Sequence, residues 1–120
     1  MRGKYTRLGD YIRISESSID NYCVIENKVT IDRSAVLDGA RIASYTHITD
    51  SILGRKTFTE SSHEHPTYIE NNSVIGNTSQ IKEGCRLIRT KVNLGIVIPK
   101  GVTYIDKTLS TYQDVVQLSL

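Results

Sequence analysis

The chain has 120 residues, with 15 Lys and Arg against 13 Asp and Glu, which gives a net charge of +2. This length predicts one domain, and the scattered basic residues do not favour a nucleic-acid partner. The sequence contains no apolar run of 18 residues and no charged-then-apolar leader, so we expect a cytoplasmic protein that makes no membrane contact.

The main feature of the chain is a short repeat that starts at Ile14. Ile, Leu or Val returns every five or six residues, and a small or β-branched residue stands two places earlier, as in Cys23/Ile25. Among fifteen such anchor positions Thr59 is the exception, and none of the fifteen carries a charge. The spacing fits neither a helix, with its period of 3.6, nor a simple alternating strand. The anchors are residues 14, 19, 25, 31, 37, 42, 48, 53, 59, 69, 75, 81, 87, 92 and 98.

The repeat predicts an all-β protein. Each hexad is interpreted as one short strand followed by a bend, and three hexads form a triangular coil, so that residues about seventeen apart stack. We predict a parallel β-helix of about five coils over residues 14–106, with an N-terminal cap at 1–13. Residues 107–120 are predicted as a C-terminal cap or tail, in which the segment 110–120 (STYQDVVQLSL) is either a short helix or an added strand. The predicted rows are Ile14, Ile31, Ile48, Ile81 and Ile98; Ile19, Leu37, Leu53, Ile69 and Leu87; and Ile25, Ile42, Thr59, Ile75 and Val92.

Cysteines and glycines fit the same interpretation. Cys23 and Cys85 occupy inward small positions in different coils, which favours buried free thiols over a disulfide or a metal pair. Six glycines fall at or near bends, where a positive φ is useful. They are Gly39, Gly54, Gly76, Gly84, Gly95 and Gly101.

The repeat is interrupted between Thr59 and Ile69. The interrupting segment contains His63 and His65, two of the three histidines in the chain. The third, His47, directly precedes an anchor, and the coil spacing predicts that it lies one coil away from His63 or His65. The three imidazoles are therefore a candidate metal site, and the rival interpretation is a solvated loop at a bend.

Several motifs carry a family resemblance. The five-residue repeat units at 50–54 (DSILG) and 72–76 (NSVIG), and the segment 98–101 (IPKG) near the end of the repeat, resemble the C-terminal domain of sugar-1-phosphate nucleotidylyltransferases. The resemblance covers roughly residues 10–106, and it implies a left-handed β-helix. In those enzymes the catalytic machinery lies in a separate domain with a glycine-rich phosphate loop, and this chain contains no such unit.

The resemblance implies a non-catalytic domain that holds no cofactor. Its partners would be other copies of itself, in a dimer or trimer, or a nucleotidylyltransferase catalytic subunit. Ile52 and Val74 are predicted to point outward from one flat face, where a neighbour could pack.

Two alternatives concern the interrupting segment. His65-Pro66-Thr67-Tyr68 resembles a segment of the bifunctional nucleotidylyltransferase–acetyltransferases, which implies that His65 is the general base of an acyl-CoA-dependent acyltransferase and Tyr68 a substrate contact. That family pattern also has a lysine upstream and an asparagine downstream of the histidine. In this chain their expected positions fall near Asp50 and Gln80, so the sequence departs from the pattern at both. The second alternative is a zinc site at His47, His63 and His65, by resemblance to the carbonic-anhydrase members of this fold.

Overall fold

The computed structural model describes residues 2–119, with the side chains of residues 2–115. Within these residues the chain forms eighteen strands of two or three residues each, followed by one helix. In chain order they are β1 (Arg7–Leu8), β2 (Arg13–Ser15), β3 (Ser18–Ile19), β4 (Val24–Ile25), β5 (Thr30–Asp32), β6 (Ala35–Val36), β7 (Arg41–Ile42), β8 (His47–Thr49), β9 (Ile52–Leu53), β10 (Phe58–Thr59), β11 (Tyr68–Glu70), β12 (Val74–Ile75), β13 (Gln80–Ile81), β14 (Arg86–Ile88), β15 (Lys91–Val92), β16 (Val97–Ile98), β17 (Thr103–Ile105), β18 (Thr108–Leu109) and α1 (Tyr112–Ser119).

The strands form three parallel six-stranded sheets. Sheet 1 contains β1, β4, β7, β10, β13 and β16; sheet 2 contains β2, β5, β8, β11, β14 and β17; sheet 3 contains β3, β6, β9, β12, β15 and β18. Each turn of the chain therefore adds one strand to every sheet. The result is a parallel β-solenoid of about six turns, which confirms the predicted all-β repeat architecture and is close to the five coils expected.

One apolar side chain from nearly every strand fills the interior. Ile31, Ile48, Ile69 and Leu87 follow one another in register along sheet 2, and all four are fully buried. Burial of each such side chain contributes about 1.5–3 kcal/mol. Because each side chain touches its counterparts in the turns above and below, the rows form one continuous core.

The number of residues between paired strands changes at the interruption of the repeat. Ile48 pairs with Ile69, which is 21 residues further on, whereas Ile31 and Ile48 are 17 apart. The predicted row that placed Ile81 beside Ile48 is therefore wrong, and Ile81 lies between Thr59 and Ile98 in sheet 1. The interrupting segment lengthens one turn but does not skip a sheet, so the strands after it lie one sheet earlier than the predicted rows placed them.

The solenoid extends into both terminal segments. Strands begin at β1 and end at β18, and α1 follows with Val115 buried against the core. Residues 107–120 therefore include one more strand of the solenoid, β18, and after it the segment predicted as helix or strand forms the short helix α1. Met1 and Leu120, the outermost residues of the predicted caps, lie outside the described residues, and the capping role of the two segments stays a prediction. In the described part of the chain, no helix is long and apolar enough to cross a membrane.

A column of hydroxyl groups lines the corner between sheets 2 and 3. The backbone N–H groups of Ser34, Ser51 and Ser73 donate to the hydroxyl oxygen of the residue one turn earlier, at 3.0, 3.0 and 3.3 Å. Thr90 continues the column with an N–H bond of 3.1 Å to the Ser73 hydroxyl. Small polar residues are thus buried here without loss of hydrogen bonding, as buried polar groups require.

Thr59 breaks the apolar row of sheet 1. Its side chain is fully buried between Ile42 and Ile81, and its hydroxyl oxygen has no hydrogen-bond partner. The Thr59→Val variant keeps the shape and removes the unpaired group, so we expect it to stabilise the fold by about 1 kcal/mol. The free energy of unfolding from urea denaturation measures this change.

Thr67→Val is the matched control for that variant. The Thr67 side chain is equally buried, but its hydroxyl donates to the Glu60 carbonyl at 2.5 Å and accepts from the Gly84 N–H at 3.1 Å. Its loss leaves both partners unpaired, and we expect a destabilisation of about 2 kcal/mol. Equal shifts in the two variants would contradict the assignment of Thr59 as the unsatisfied site.

Candidate functional site

The interrupting segment forms a loop between β10 and β11 that its own serines hold in place. The Ser62 hydroxyl accepts from the His65 backbone N–H at 3.1 Å and donates to the Glu83 carboxylate at 2.8 Å. The Ser61 hydroxyl accepts from the Thr67 N–H at 2.9 Å. Two of these bonds close the loop on itself, and the bond to Glu83 ties it to the following turn.

His65 borders a surface pocket of about 330 Å³, which Glu83, Gly84, Lys100 and Gly101 also line. The Glu83 carboxylate lies 3.5 Å from the Lys100 ammonium group. The hydrogen bond from Ser62, together with Lys100, holds the pKa of Glu83 below its usual range. Within the described residues no hydrogen bond orients the His65 ring, which is exposed to solvent. The pocket thus pairs a carboxylate with a cation beside the exposed His65 side chain, and the role of His65 as a general base stays a prediction.

Tyr68 lies in a stack of side chains on the outside of sheet 2. Its ring is parallel to the His47 imidazole, with the ring centres 4.8 Å apart. The Arg86 guanidinium lies over the Tyr68 ring at 5.1 Å and also pairs with the Glu70 carboxylate at 3.2 Å. His47 and Arg86 are the strand partners of Tyr68 on either side. The predicted substrate contact is therefore a ring enclosed between two neighbours.

The three histidines have three different environments. His47 stacks on Tyr68, and His65 borders the pocket. His63 packs edge-on against Tyr45, with the ring centres 5.1 Å apart. Among residues 2–119 no group of three or more His, Cys, Asp or Glu side chains could hold a metal ion. The structure does not bring His47, His63 and His65 together as ligands, because the longer turn places Tyr68 beside His47.

Both cysteines are free and buried, as the sequence predicted. Burial raises the pKa of the Cys23 and Cys85 thiols, although backbone hydrogen bonds partly offset the effect. Neutral buried thiols are poor nucleophiles and poor metal ligands. Their role is to fill the narrow corners of the interior.

Sequence reasoning missed a column of charges at the corner between sheets 2 and 3. The Arg33 guanidinium binds the Asp50 carboxylate with two hydrogen bonds, of 2.7 and 3.0 Å, and Arg89 binds Asp106 in the same way, at 2.6 and 3.0 Å. In each pair the arginine lowers the pKa of its aspartate. The two pairs, with Asn72 in the turn between them, are called the charged corner below. The sequence does contain a signal for this corner, because an Asp follows an Arg at a distance of one turn, 17 residues, in both pairs.

An apolar row lies beside the charged corner on the outside of sheet 3. Ala35, Ile52 and Val74 are consecutive strand partners, and Ile52 and Val74 are 45% and 39% exposed. Their predicted outward orientation is confirmed. A surface groove of about 650 Å³ runs between this apolar row and the charged corner.

Comparisons with known proteins agree with this architecture. The family model described as the GMPPB C-terminal domain, a sugar-phosphate nucleotidylyltransferase C-terminal domain, matches residues 4–99. A solved structure of a Bacillus cereus protein assigned as an acetyltransferase has a TM-score of 0.68 at 15% identity, and the match covers 97% of this chain and 90% of that chain. At this identity the likeness shows a shared fold. The curated proteins contain no significant match.

Proposed function

The chain belongs to the GMPPB C-terminal domain family, and from that premise we propose that it is a non-catalytic assembly domain. It oligomerises, or it docks to the catalytic subunit of a sugar-phosphate nucleotidylyltransferase, in cytoplasmic sugar-nucleotide metabolism. The observation that carries this proposal is the apolar row beside the charged corner.

The apolar row supports assembly because it combines exposure with flatness. Three aliphatic side chains from consecutive turns stand side by side on a sheet, and two of them expose more than a third of their surface. Contiguous apolar patches rimmed by charged groups are typical of protein interaction sites. The Arg33–Asp50 ion pair supplies such a rim.

The position of Tyr68 also supports this proposal. Its ring lies between the His47 imidazole and the Arg86 guanidinium, so neighbouring side chains rather than a substrate cover its two faces. The likeness to the Bacillus cereus structure, at 15% identity, is a likeness of fold and carries no activity over to this chain.

Native mass spectrometry tests the proposed function. The purified chain, alone and mixed with a sugar-phosphate nucleotidylyltransferase catalytic subunit, is expected to give either an oligomer or a complex with that subunit. His65→Ala is expected to leave this assembly and the unfolding midpoint unchanged. A chain that stays monomeric in both samples, or acyl transfer from acetyl-CoA that His65→Ala abolishes, would reject the proposal.

A further inference from the structure

The signs of the charges along the charged corner follow a self-complementary order. In successive turns the corner carries Glu16, Arg33, Asp50, the neutral Asn72, Arg89 and Asp106, that is minus, plus, minus, neutral, plus, minus. When the order from Arg33 to Asp106 is reversed, each of its four charges meets its opposite, and Glu16 lies one turn beyond this paired segment. A second copy placed antiparallel therefore matches the first copy at each of these four positions.

We propose that two copies of the chain pair antiparallel through the charged corner and the apolar row, with the two-fold axis at the turn that holds Asn72 and Val74. This inference rests on the proposed assembly function and names the surface and the partner. The proposed partner is a second copy of the chain, because the charges of this surface are complementary to those of the same surface in reversed order.

The charges meet as follows. A two-fold axis that lies in the interface, perpendicular to the solenoid axis, reverses the order of turns and keeps the same corner in contact. Arg33 then lies opposite the partner's Asp106, and Asp50 lies opposite the partner's Arg89. Turns are spaced by about 4.8 Å in both copies, so one correct contact brings all the others into register.

The apolar row fits the same axis. Val74 meets the partner's Val74 on the axis, and Ile52 meets the aliphatic stem of the partner's Lys91, because each residue is one turn from the Val74 turn. Lysine stems commonly cover apolar surface while the ammonium group stays in water. The contact thus has an apolar centre and a charged edge, as specific interfaces do.

Parallel pairing through this corner is disfavoured. In a parallel dimer, or in a trimer with this corner at its axis, Arg33 meets Arg33 and Asp50 meets Asp50. Like charges that face each other across an interface are a common device against wrong partners. The Arg33, Arg89 and Asp106 side chains are 52%, 50% and 62% exposed, so all three are accessible to a neighbour while they keep their own ion pairs.

A cysteine at the two-fold axis provides the first test. Asn72→Cys places a thiol next to the same thiol of the second copy. Lys28→Cys is the control, because it places a thiol at the corner between sheets 1 and 2, outside the proposed interface. Both positions are exposed and have positive φ, of 68° and 56°, and the native thiols are buried. Under mild oxidation, we expect non-reducing gels to show a disulfide-linked dimer as the main species for Asn72→Cys and as a minor one for Lys28→Cys.

A charge exchange provides the second test. Arg33→Asp sets two like charges against each other at each end of the interface, and we expect it to weaken the dimer about tenfold or more. The double variant Arg33→Asp/Asp106→Arg restores the match between copies although it breaks both ion pairs within each copy. Recovery of the dimer therefore distinguishes pairing between copies from stability within one. Lys82→Asp, at the sheet 1–2 corner, is the control that leaves the dimer unchanged.

The outcomes separate this inference from the proposed function. A stable oligomer that does not cross-link at Asn72, a trimer, or a double variant as weak as Arg33→Asp overturns the antiparallel contact and leaves assembly standing. A monomer that binds a catalytic subunit overturns the self-pairing alone. A monomer that binds nothing overturns both.

Discussion

The Ile75→Asp variant is expected to lose its folded structure. The Ile75 side chain is buried between Leu53 and Val92 in the interior row of sheet 3, where its neighbours offer no hydrogen bond. Burial of an unpaired carboxyl group there costs about 5 kcal/mol or more, against a total stability of about 5–15 kcal/mol for a domain. Far-ultraviolet circular dichroism and urea denaturation at 25 °C measure the loss.

Val74→Asp is the control for that variant. Val74 directly precedes Ile75 in the same strand, but its side chain points outward and is 39% exposed. A one-residue step moves a side chain from one face of a sheet to the other, so we expect this variant to stay folded. Folding is compared at low protein concentration, where a dimer does not contribute. Equal unfolding midpoints for the two variants would show that the inward register is wrong.

The regular part of the solenoid could be predicted because the sequence repeats its chemistry. An apolar anchor with a small residue two places earlier defines both inward positions of each hexad, and Ile31 and Ile48 pair as expected. The prediction of residue rows failed where the repeat was interrupted. Spacing alone cannot reveal how many residues leave the coil to form a loop. The strands after the loop were therefore assigned to the wrong sheets.

A smaller error occurred at Leu37. The prediction placed it in an interior row, but its neighbour Val36 pairs with Leu53 and points inward. Both residues are aliphatic, and the step between anchors varies between five and six residues, so the sequence allowed either choice. The small residue Ser34, two places before Val36, is the better guide, since it is buried at the corner.

The candidate site was less predictable than the fold. The prediction correctly grouped His63 and His65 in one loop, but ring stacking between His47 and Tyr68 depends on the exact register after the interruption. The charged corner was overlooked because its residues look like ordinary polar bends when they are read along the chain. Their partnership becomes visible only when Arg33 and Asp50 are compared at a distance of one turn.

The Gly76→Ala variant is expected to destabilise the fold by about 3 kcal/mol, as overpacking does in a tight structure. A Cβ atom at Gly76 would lie 2.6 Å from the Leu94 nitrogen and 2.7 Å from the Asn93 carbonyl carbon. Both are backbone atoms of the next turn. They cannot move away freely, because the Gly76 N–H donates to the Val92 carbonyl at 2.7 Å. The change in the free energy of unfolding from urea denaturation measures the effect.

Gly101→Ala is the matched comparison, because it separates crowding from backbone conformation. Gly101 has a φ of +69°, and a Cβ atom there would meet nothing within 4 Å. Its replacement carries only the cost of a left-handed conformation, about 1 kcal/mol. The sequence placed both glycines at or near bends, where a positive φ is useful, but Gly76 is required for the close approach of two turns. If Gly101→Ala proves the more damaging change, conformation rather than turn-to-turn contact determines where this solenoid requires glycine.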